Sequence, residues 1–549
     1  MKAFVDELTP PVRIRQRRRM PAAGRSDGRA EERATTSVAV RHVALRIDPA
    51  RPCRMHQELA ARLKQAGLRV SVVRGSVRGG LPGSARLLLD LERIVHRITG
   101  PLLSDPIQSL ELPVSIGDDA DLTLDFCGEL SDSQGGCTWR VLCDGAVGDA
   151  VLMGALVAGR MPVIEVEDCS TGEILASGIA ANDNAGTILG ALDCVLARVV
   201  TLAQAAITAP RQPVPFARRP ARSTALKDLL RFEATALAGA IVHRLYALCF
   251  HTPHWRTCWR FVDGVDLWGT RSLLGTAWNV LPDPGFRFYA DPFPFVHQGR
   301  EYLFVEDLDH RTNKGVISVV PFGSHGPIGP AQPVLEEPWH LSYPFCFAHA
   351  GEIWMIPESS ADRTVRLYRA ARFPDRWVQE AVLLSDVAAS DATIIQHGGT
   401  FWMFAATRDG FGSWSDTLSL FHAPRLQGPW QPHPANPVLV DQAAARPAGA
   451  MLVRNGTVLR PVQDCTAGYG CGIGLAEVTR LDREGFEQHV RAVVRADPTW
   501  PGRRFHTLNR AGRLECIDGS AYSPRSRLMA RRLQSWSGRR DMPAYAAQE

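Results

Sequence analysis

At 549 residues the chain is too long for one hydrophobic core, so two or three domains are expected. Its 62 Lys and Arg against 57 Asp and Glu leave a net charge of +5, an excess that lies in the first 36 residues and beyond Tyr522. The body between is close to neutral, which argues against a nucleic-acid surface. Twelve cysteines are scattered without CxxC pairs or histidines at zinc spacing, and all are read as reduced, Cys465 and Cys471 on their Gly-rich turn included.

Residues 1–36 carry the run Arg13-Ile14-Arg15-Gln16-Arg17-Arg18-Arg19 and read as a solvated, disordered basic arm. There is no apolar h-region to make a signal peptide, and Asp6, Glu7, Asp27, Glu31 and Glu32 oppose a transit peptide. No stretch reaches 18 uncharged apolar residues, so the expectation is a cytoplasmic protein without a membrane span. Residues 43–47, 69–73 and 121–126 read as strands, with helices at 58–66 and 85–98 between them. Short strands at 163–166 and 174–177 and a helix over 185–206 complete an open α/β domain with a parallel sheet, residues 37–209. Residues 210–258 form a linker, with Pro210, Pro213, Pro215 and Pro220, and then a long helix over 226–248. Leu226, Leu229, Leu230, Leu237, Ile241 and Leu245 lie on the apolar side of that helix, read as a strut between domains, and its charged residues exclude a span.

From residue 259 to 523 the texture changes to short strands rich in Trp, Gly and Pro. Five segments repeat one layout, a strand, a turn on a glycine and a second strand. The glycines are Gly299, Gly351, Gly399, Gly456 and Gly512, 52, 48, 57 and 56 residues apart. A four-stranded propeller blade needs about 40–50 residues. The fold class is therefore multidomain, an α/β open sheet followed by an all-β five-bladed β-propeller. Residues 524–549 read as a flexible tail.

Eight residues before the first three turn glycines stand Asp291, Tyr343 and Asp391; the fourth and fifth repeats offer Arg446 and His506. Seven residues after each glycine come Glu306, Glu358, Ala406, Gln463 and Gly519. Carboxylates inside apolar strands are costly to desolvate unless paired or used. A plainer role stands beside that one, since Asp291 and Asp391 would also cap turns next to Pro292 and Ala392.

The segments Ala290-Asp291-Pro292 and Ser390-Asp391-Ala392 resemble the strand motifs of five-bladed arabinanases, xylosidases and fructan hydrolases. Residues from about 259 to 522 more closely resemble the propeller domain that precedes the transferase domain in plant glucosamine inositolphosphorylceramide transferases. That likeness rests on Tyr289-Ala290-Asp291-Pro292-Phe293, Phe304-Val305-Glu306, Tyr343-Pro344-Phe345, Pro357-Glu358-Ser359, Arg446-Pro447-Ala448-Gly449 and His506-Thr507-Leu508-Asn509. The hydrolase resemblance implies a base or nucleophile, an orienting carboxylate and a general acid. Carried over, Asp291 is the base or nucleophile, Asp391 the orienting group, and Glu358 or Glu306 the acid, because the third repeat lacks the Glu-Gly-Pro setting of the hydrolases. The N-terminal domain is faintly similar to folate-dependent formyltransferases over residues 121–128 and 165–177, but their Asn-x-His-x-Ser signature is absent.

The leading expectation is a glycoside hydrolase-like propeller acting on a polysaccharide or glycoconjugate. Asp291, Glu358 and Asp391 would be catalytic, and Glu306, Tyr343, Arg446, Gln463 and His506 substrate-binding, with no metal and no cofactor. A non-catalytic glycan-binding or scaffold module is the second expectation, and a formyl- or acyl-transferring sugar modifier the third.

Overall fold

The computed structural model describes residues 12–15, 37–77, 83–114, 119–128, 137–183, 186–209, 213–220, 225–275, 277–496 and 504–526. The chain divides into two compact units, residues 1–180 with 187–232, and residues 181–186 with 233–549.

The first unit is built on a six-stranded sheet in the order Arg69–Arg74, His42–Ile47, Leu122–Asp125, Thr138–Cys143, Val163–Asp168, Ile174–Ile179. The first four strands run parallel, and the last two add antiparallel. The expected all-parallel sheet is thus corrected to a mixed one. The short connection between Val163–Asp168 and Ile174–Ile179 allows only a hairpin, since a parallel crossover needs a dozen residues or more. Helix Ile188–Thr208 is apolar and long enough by composition to cross a bilayer, but most of it is buried as the core helix of this unit. Its first turn is capped by Thr187, which accepts from the Gly190 amide, and by the buried Glu92 carboxylate, which accepts from the Ile188 and Leu189 amides at 2.7 Å each. Two buried imidazoles are committed to the fold: His42 bonds Ser71 and the Asp119 carbonyl, and His56 caps helix Arg54–Gln65 at Cys53.

Part of the arm expected to be disordered forms a strand, Val12–Arg15, antiparallel to Ser37–Val40. Val12 and Ile14 alternate with Arg13 and Arg15 there, the period of a strand with one apolar face. The rest of the arm, and the tail from 527, lie outside the described residues. The long helix expected over 226–248 is present as Leu226–Cys249.

Among the described residues the second unit holds five antiparallel blade sheets, one per repeat, and a two-stranded pair of Phe250–His251 with Ser523–Pro524. In the first three blades the inner strands are Arg287–His297, Ser342–His349 and Ala389–His397, each paired to the strand after its turn. The fourth is Leu452–Arg454, Thr457–Asp464, Gly472–Leu481 and Phe486–Arg495. The fifth closes the ring: Leu508–Ala511 and Leu514–Ser520 from the end of the domain pair with Trp255–Phe261 and Asn279–Val280 from its beginning. The first strand of this closing sheet in chain order runs Trp255–Phe261. This closure ties the two ends of the domain together by main-chain hydrogen bonds. A core that includes Phe304, Met355, Tyr368, Trp377 and Met403 runs across the first three blades.

The hairpin glycines follow turn chemistry. In four blades both loop residues have positive φ (Gln298-Gly299, Ala350-Gly351, Gly398-Gly399, Asn455-Gly456), the signature of a type I′ turn with glycine second. In the fifth only Gly512, the first loop residue, is positive, which fits type II′.

Candidate functional site

Each inner strand of the first three blades is interrupted at the same place. The register with the second strand slips between Ala290 and Phe293, between Ser342 and Phe345, and between Ser390 and Thr393. Two residues are left unpaired at each bulge, and the first of them is left-handed: Asp291 at φ 47°, Tyr343 at 45°, Asp391 at 56°. Such conformations cost about 1–2 kcal/mol per residue and persist only where the surroundings fix them. A bulge re-aims a side chain and frees a backbone amide. Those amides are met by carboxylates of the preceding blades. Asp291 N–H donates to Asp518 Oδ2 (3.3 Å), Tyr343 N–H to Asp291 Oδ2 (3.2 Å), and Asp391 N–H to Glu358 Oε2 (3.2 Å). The carboxylates thus brace the bulges that display their neighbours.

Two cations enter from the other side of the ring. His506 is 3% exposed, with Nε2 3.1 Å from Asp291 Oδ1 and Nδ1 3.1 Å from Asp518 Oδ2. Thr507 donates its hydroxyl to Asp291 Oδ1 at 2.7 Å, and the His506 and Thr507 amides donate to Asp518 Oδ1. Burial alone would lower the His506 pKa, but Asp518 and Asp291 raise it to about 9. Burial would raise the Asp291 carboxyl, and His506 and Thr507 more than reverse that, holding it below the ordinary range. Burial wins at Asp518, whose carboxyl is raised despite His506. Arg446 Nε donates to Asp391 Oδ2 at 2.6 Å, its guanidinium 4.8 Å from the Tyr469 ring centroid, and Gln463 donates to the same oxygen at 3.1 Å. Burial pushes Asp391 up, to about 7, even against Arg446, with Glu358 and Asp291 adding to the rise.

Glu306 sits apart from these pairs, 3.3 Å from His340 Nε2. Since His340 Nδ1 accepts the Gly315 amide at 2.9 Å, Nε2 is the protonated nitrogen and faces the carboxylate. Burial raises the Glu306 carboxyl above its ordinary range. Glu358 is half-buried and accepts the Ser360 hydroxyl at 2.7 Å.

Six of the eight residues anticipated from sequence join this network with their side chains, and the seventh, Glu306, faces His340 instead. The eighth, Tyr343, is fully buried: its hydroxyl accepts the Gly449 amide at 2.7 Å and lies 3.0 Å from Thr393 Oγ1. It braces the second, third and fourth blades rather than offering a free phenol, because its ring packs on Phe293 in the apolar core. Sequence reasoning missed Asp518, His340, Trp255 and Tyr469. Trp255 and Tyr469 stand against the His506 ring, at centroid distances of 4.3 and 4.9 Å. Asp518 was missed by one position, since it lies six residues after Gly512 and not seven. Counting seven from it lands on Gly519, which faces the opposite side of the strand. Asp291, His506 and Asp518 offer ligand atoms within 4.8 Å of one another, spacing that would admit a cation, although both imidazole nitrogens already face carboxylates.

Residues 280–516 match the family described as "Glucosamine inositolphosphorylceramide transferase 1, N-terminal". Among curated proteins, the glucosamine inositolphosphorylceramide transferase 1 of Oryza sativa subsp. japonica is 30% identical over 333 residues, 53% of this chain and 44% of that protein. That of Arabidopsis thaliana is 33% identical over 231 residues, 40% of this chain and 30% of that protein. The chain thus spans less than half the length of these relatives. Among solved structures, a thermostable family-43 glycoside hydrolase matches at 14% identity and a TM-score of 0.30, covering 42% of this chain and 85% of that one. The chain carries a propeller domain like the N-terminal domain of the glucosamine inositolphosphorylceramide transferases.

Proposed function

We propose that the propeller acts on a glycosidic bond of a polysaccharide or glycoconjugate, with acid and base supplied by its ring of buried carboxylates. The observation that carries this reading is the polarisation of that ring: Asp291 is held ionised by His506 and Thr507, while burial raises Glu306 and Asp391. Glycosidic cleavage needs such a split, one carboxylate charged and one carboxyl still holding its proton. Asp291 takes a proton from water, whose oxygen attacks the anomeric carbon, or attacks that carbon itself. Glu306, whose carboxyl burial raises, gives its proton to the departing sugar oxygen, Glu358 being the other candidate for that role. Asp391 and Arg446 orient the sugar. The curated relatives are glucosamine inositolphosphorylceramide transferases, which supports a substrate within the glycoconjugates.

A binding module is the second reading. It is favoured by the third and fourth blades, which present Ala406 and Gln463 where the first two present Glu306 and Glu358. Both axial aspartates, moreover, already face a cation. A formyltransferase-like identity for the N-terminal sheet has less support, since His42 and His56 are tied up within the fold.

The test is Asp291→Asn, nearly isosteric, assayed on polysaccharides and glycoconjugates for product and for affinity. Loss of product by two orders of magnitude or more with the thermal midpoint kept is expected, because an amide is neither base nor nucleophile. Unchanged turnover overturns the catalytic reading. Affinity without turnover in the wild-type protein establishes the binding module instead.

A further inference from the structure

In the fourth blade a Gly-rich loop joins Thr457–Asp464 to Gly472–Leu481 and brings one side chain, Tyr469, to the axial site. Its half-buried ring stands beside both axial cations, 4.8 Å from the Arg446 guanidinium and 4.9 Å from the His506 ring. The loop is fixed through its backbone. Asp464 accepts the Thr466 amide at 3.0 Å and the Thr466 hydroxyl at 2.7 Å, and the Gly468 amide bonds the Cys465 carbonyl at 3.0 Å. Arg504 donates to the Tyr469 carbonyl, and the Phe505 amide donates to that of Gly470 at 2.9 Å. Gly470 is required where it stands, since it has φ of 69° and an added Cβ would come within 3.0 Å of the Trp255 ring.

The hydroxyl on this well-held ring is left over. Tyr343 spends its hydroxyl on the Gly449 amide, but among the described residues the Tyr469 hydroxyl meets no hydrogen-bond partner and is not sealed from solvent. Burial lifts its pKa well above the ordinary value; Arg446 opposes that, and Asp291, Asp391 and Asp518 add to it. The group is therefore a neutral hydroxyl, able to donate and to accept. We propose that Tyr469 is the sugar-contacting residue of the axial site, its ring taking the apolar C–H face of an uncharged pyranose and its hydroxyl bonding a hydroxyl of that sugar. An uncharged sugar is selected because the cations around the site are already paired. Arg446 bonds Asp391, His506 lies between Asp291 and Asp518, and His340 faces Glu306. A carboxylate or phosphate entering there finds none of these three cations free and meets the aspartates as like charges. A sugar hydroxyl needs no free charge, since it can accept from the phenol and donate to a carboxylate. The inference rests on the reading of the axial site as a sugar site, and adds the residue that holds the sugar and the charge class of that sugar.

The experiment titrates the full chain with methyl glucoside, methyl galactoside, methyl N-acetylglucosaminide and methyl glucuronide, followed by ligand-observed NMR. The wild-type protein is expected to bind at least one of the three neutral glycosides, and the glucuronide at least ~10-fold more weakly. Tyr469→Phe keeps the ring and should weaken binding of that glycoside about 3–10-fold, the loss of one hydrogen bond. Its thermal midpoint should match wild type, because the hydroxyl has no protein partner to lose. Tyr469→Ala, which removes the ring as well, should weaken binding further than Phe. Absence of binding by all three neutral glycosides, a preference for the glucuronide, or a Tyr469→Phe variant that binds as wild type does overturns the proposal. Binding that depends on Tyr469 without turnover upholds it while overturning the catalytic reading, and turnover that Tyr469→Phe leaves unchanged, with unchanged affinity, does the reverse.

Discussion

The first three blades and the last two solve the same problem in opposite ways. In the first three the inner strand runs through the site and is bulged there, with a left-handed residue at each bulge. In the last two the site residue precedes the strand: Arg446 lies ahead of Leu452–Arg454, and His506 ahead of Leu508–Ala511. The bulged half supplies the carboxylates Asp291 and Asp391, whereas the irregular half supplies the cations that face them. Strain is concentrated in the first three blades, two of whose bulges display carboxylates, and the cations arrive on backbone already free of the ladder. The difference teaches that the ring is an assembly of paired charges, with neither half stable in the interior without the other.

That comparison breaks most sharply at Arg446. Arg446→Met keeps most of the buried volume and strands the Asp391 carboxylate, so a loss of about 3–5 kcal/mol in urea unfolding near pH 8 is expected. Adding Asp391→Asn should recover much of it. If the single variant were as stable as wild type, the two halves would be energetically independent.

The next largest effect is expected at His506 and depends on pH. Its folded pKa of about 9 exceeds the ordinary value of 6.5, so its contribution is complete below 6.5 and is lost as pH rises through about 9. The size of that loss is on the order of 3 kcal/mol. In His506→Asn this alkaline decline should vanish from the curve of thermal midpoint against pH, the variant being less stable than wild type at pH 6 and closer to it at pH 10. A parallel decline in both proteins would mean that Asp291 and Asp518 do not hold the imidazolium.

Much of this architecture was legible in the sequence because it repeats. The turn glycines marked five hairpins, and counting back from three of them reached Asp291, Tyr343 and Asp391, since hairpin length fixes register and register fixes the face. Counting failed in the fifth repeat, where Asp518 lies six residues after Gly512 and not seven. Closure by Trp255–Phe261 was not legible, because a strand's partner some 255 residues away leaves no local pattern. Nor were the bulges: Asp-Pro, Tyr-Pro and Asp-Ala have no shared spelling that announces a left-handed residue. The role of Tyr343 also depended on tertiary structure, since only the position of Gly449 shows where its hydroxyl goes. That glycine is required, having φ of 140° and only 2.2 Å from an added Cβ to the Leu508 carbonyl oxygen.

The smallest effect, and the finest test of the comparison, is expected from Glu358→Gln within the carboxylate half. Glu358 accepts two hydrogen bonds, from the Ser360 hydroxyl and from the Asp391 amide. A glutamine oxygen can keep the amide bond, and the serine hydroxyl can rotate to accept from the new NH₂, so no buried polar atom is orphaned. Packing is unchanged as well. Stability should therefore stay within about 0.5 kcal/mol of wild type. Electrostatics should still shift, because Glu358 helps raise the Asp391 carboxyl to about 7. A carboxyl raised on folding contributes stability that is complete below its unfolded pKa and is lost as pH climbs through its folded one. Removing the Glu358 charge should lower the Asp391 midpoint, making the variant indistinguishable from wild type below about pH 4, where the carboxyl is protonated in both, and slightly more stable above about pH 7, where it is ionised. The Asp391 carboxyl signal, followed by carbon NMR across pH 4–9, gives the direct reading. A midpoint that stays put would show that burial alone, without the neighbouring carboxylate, sets the charge at Asp391.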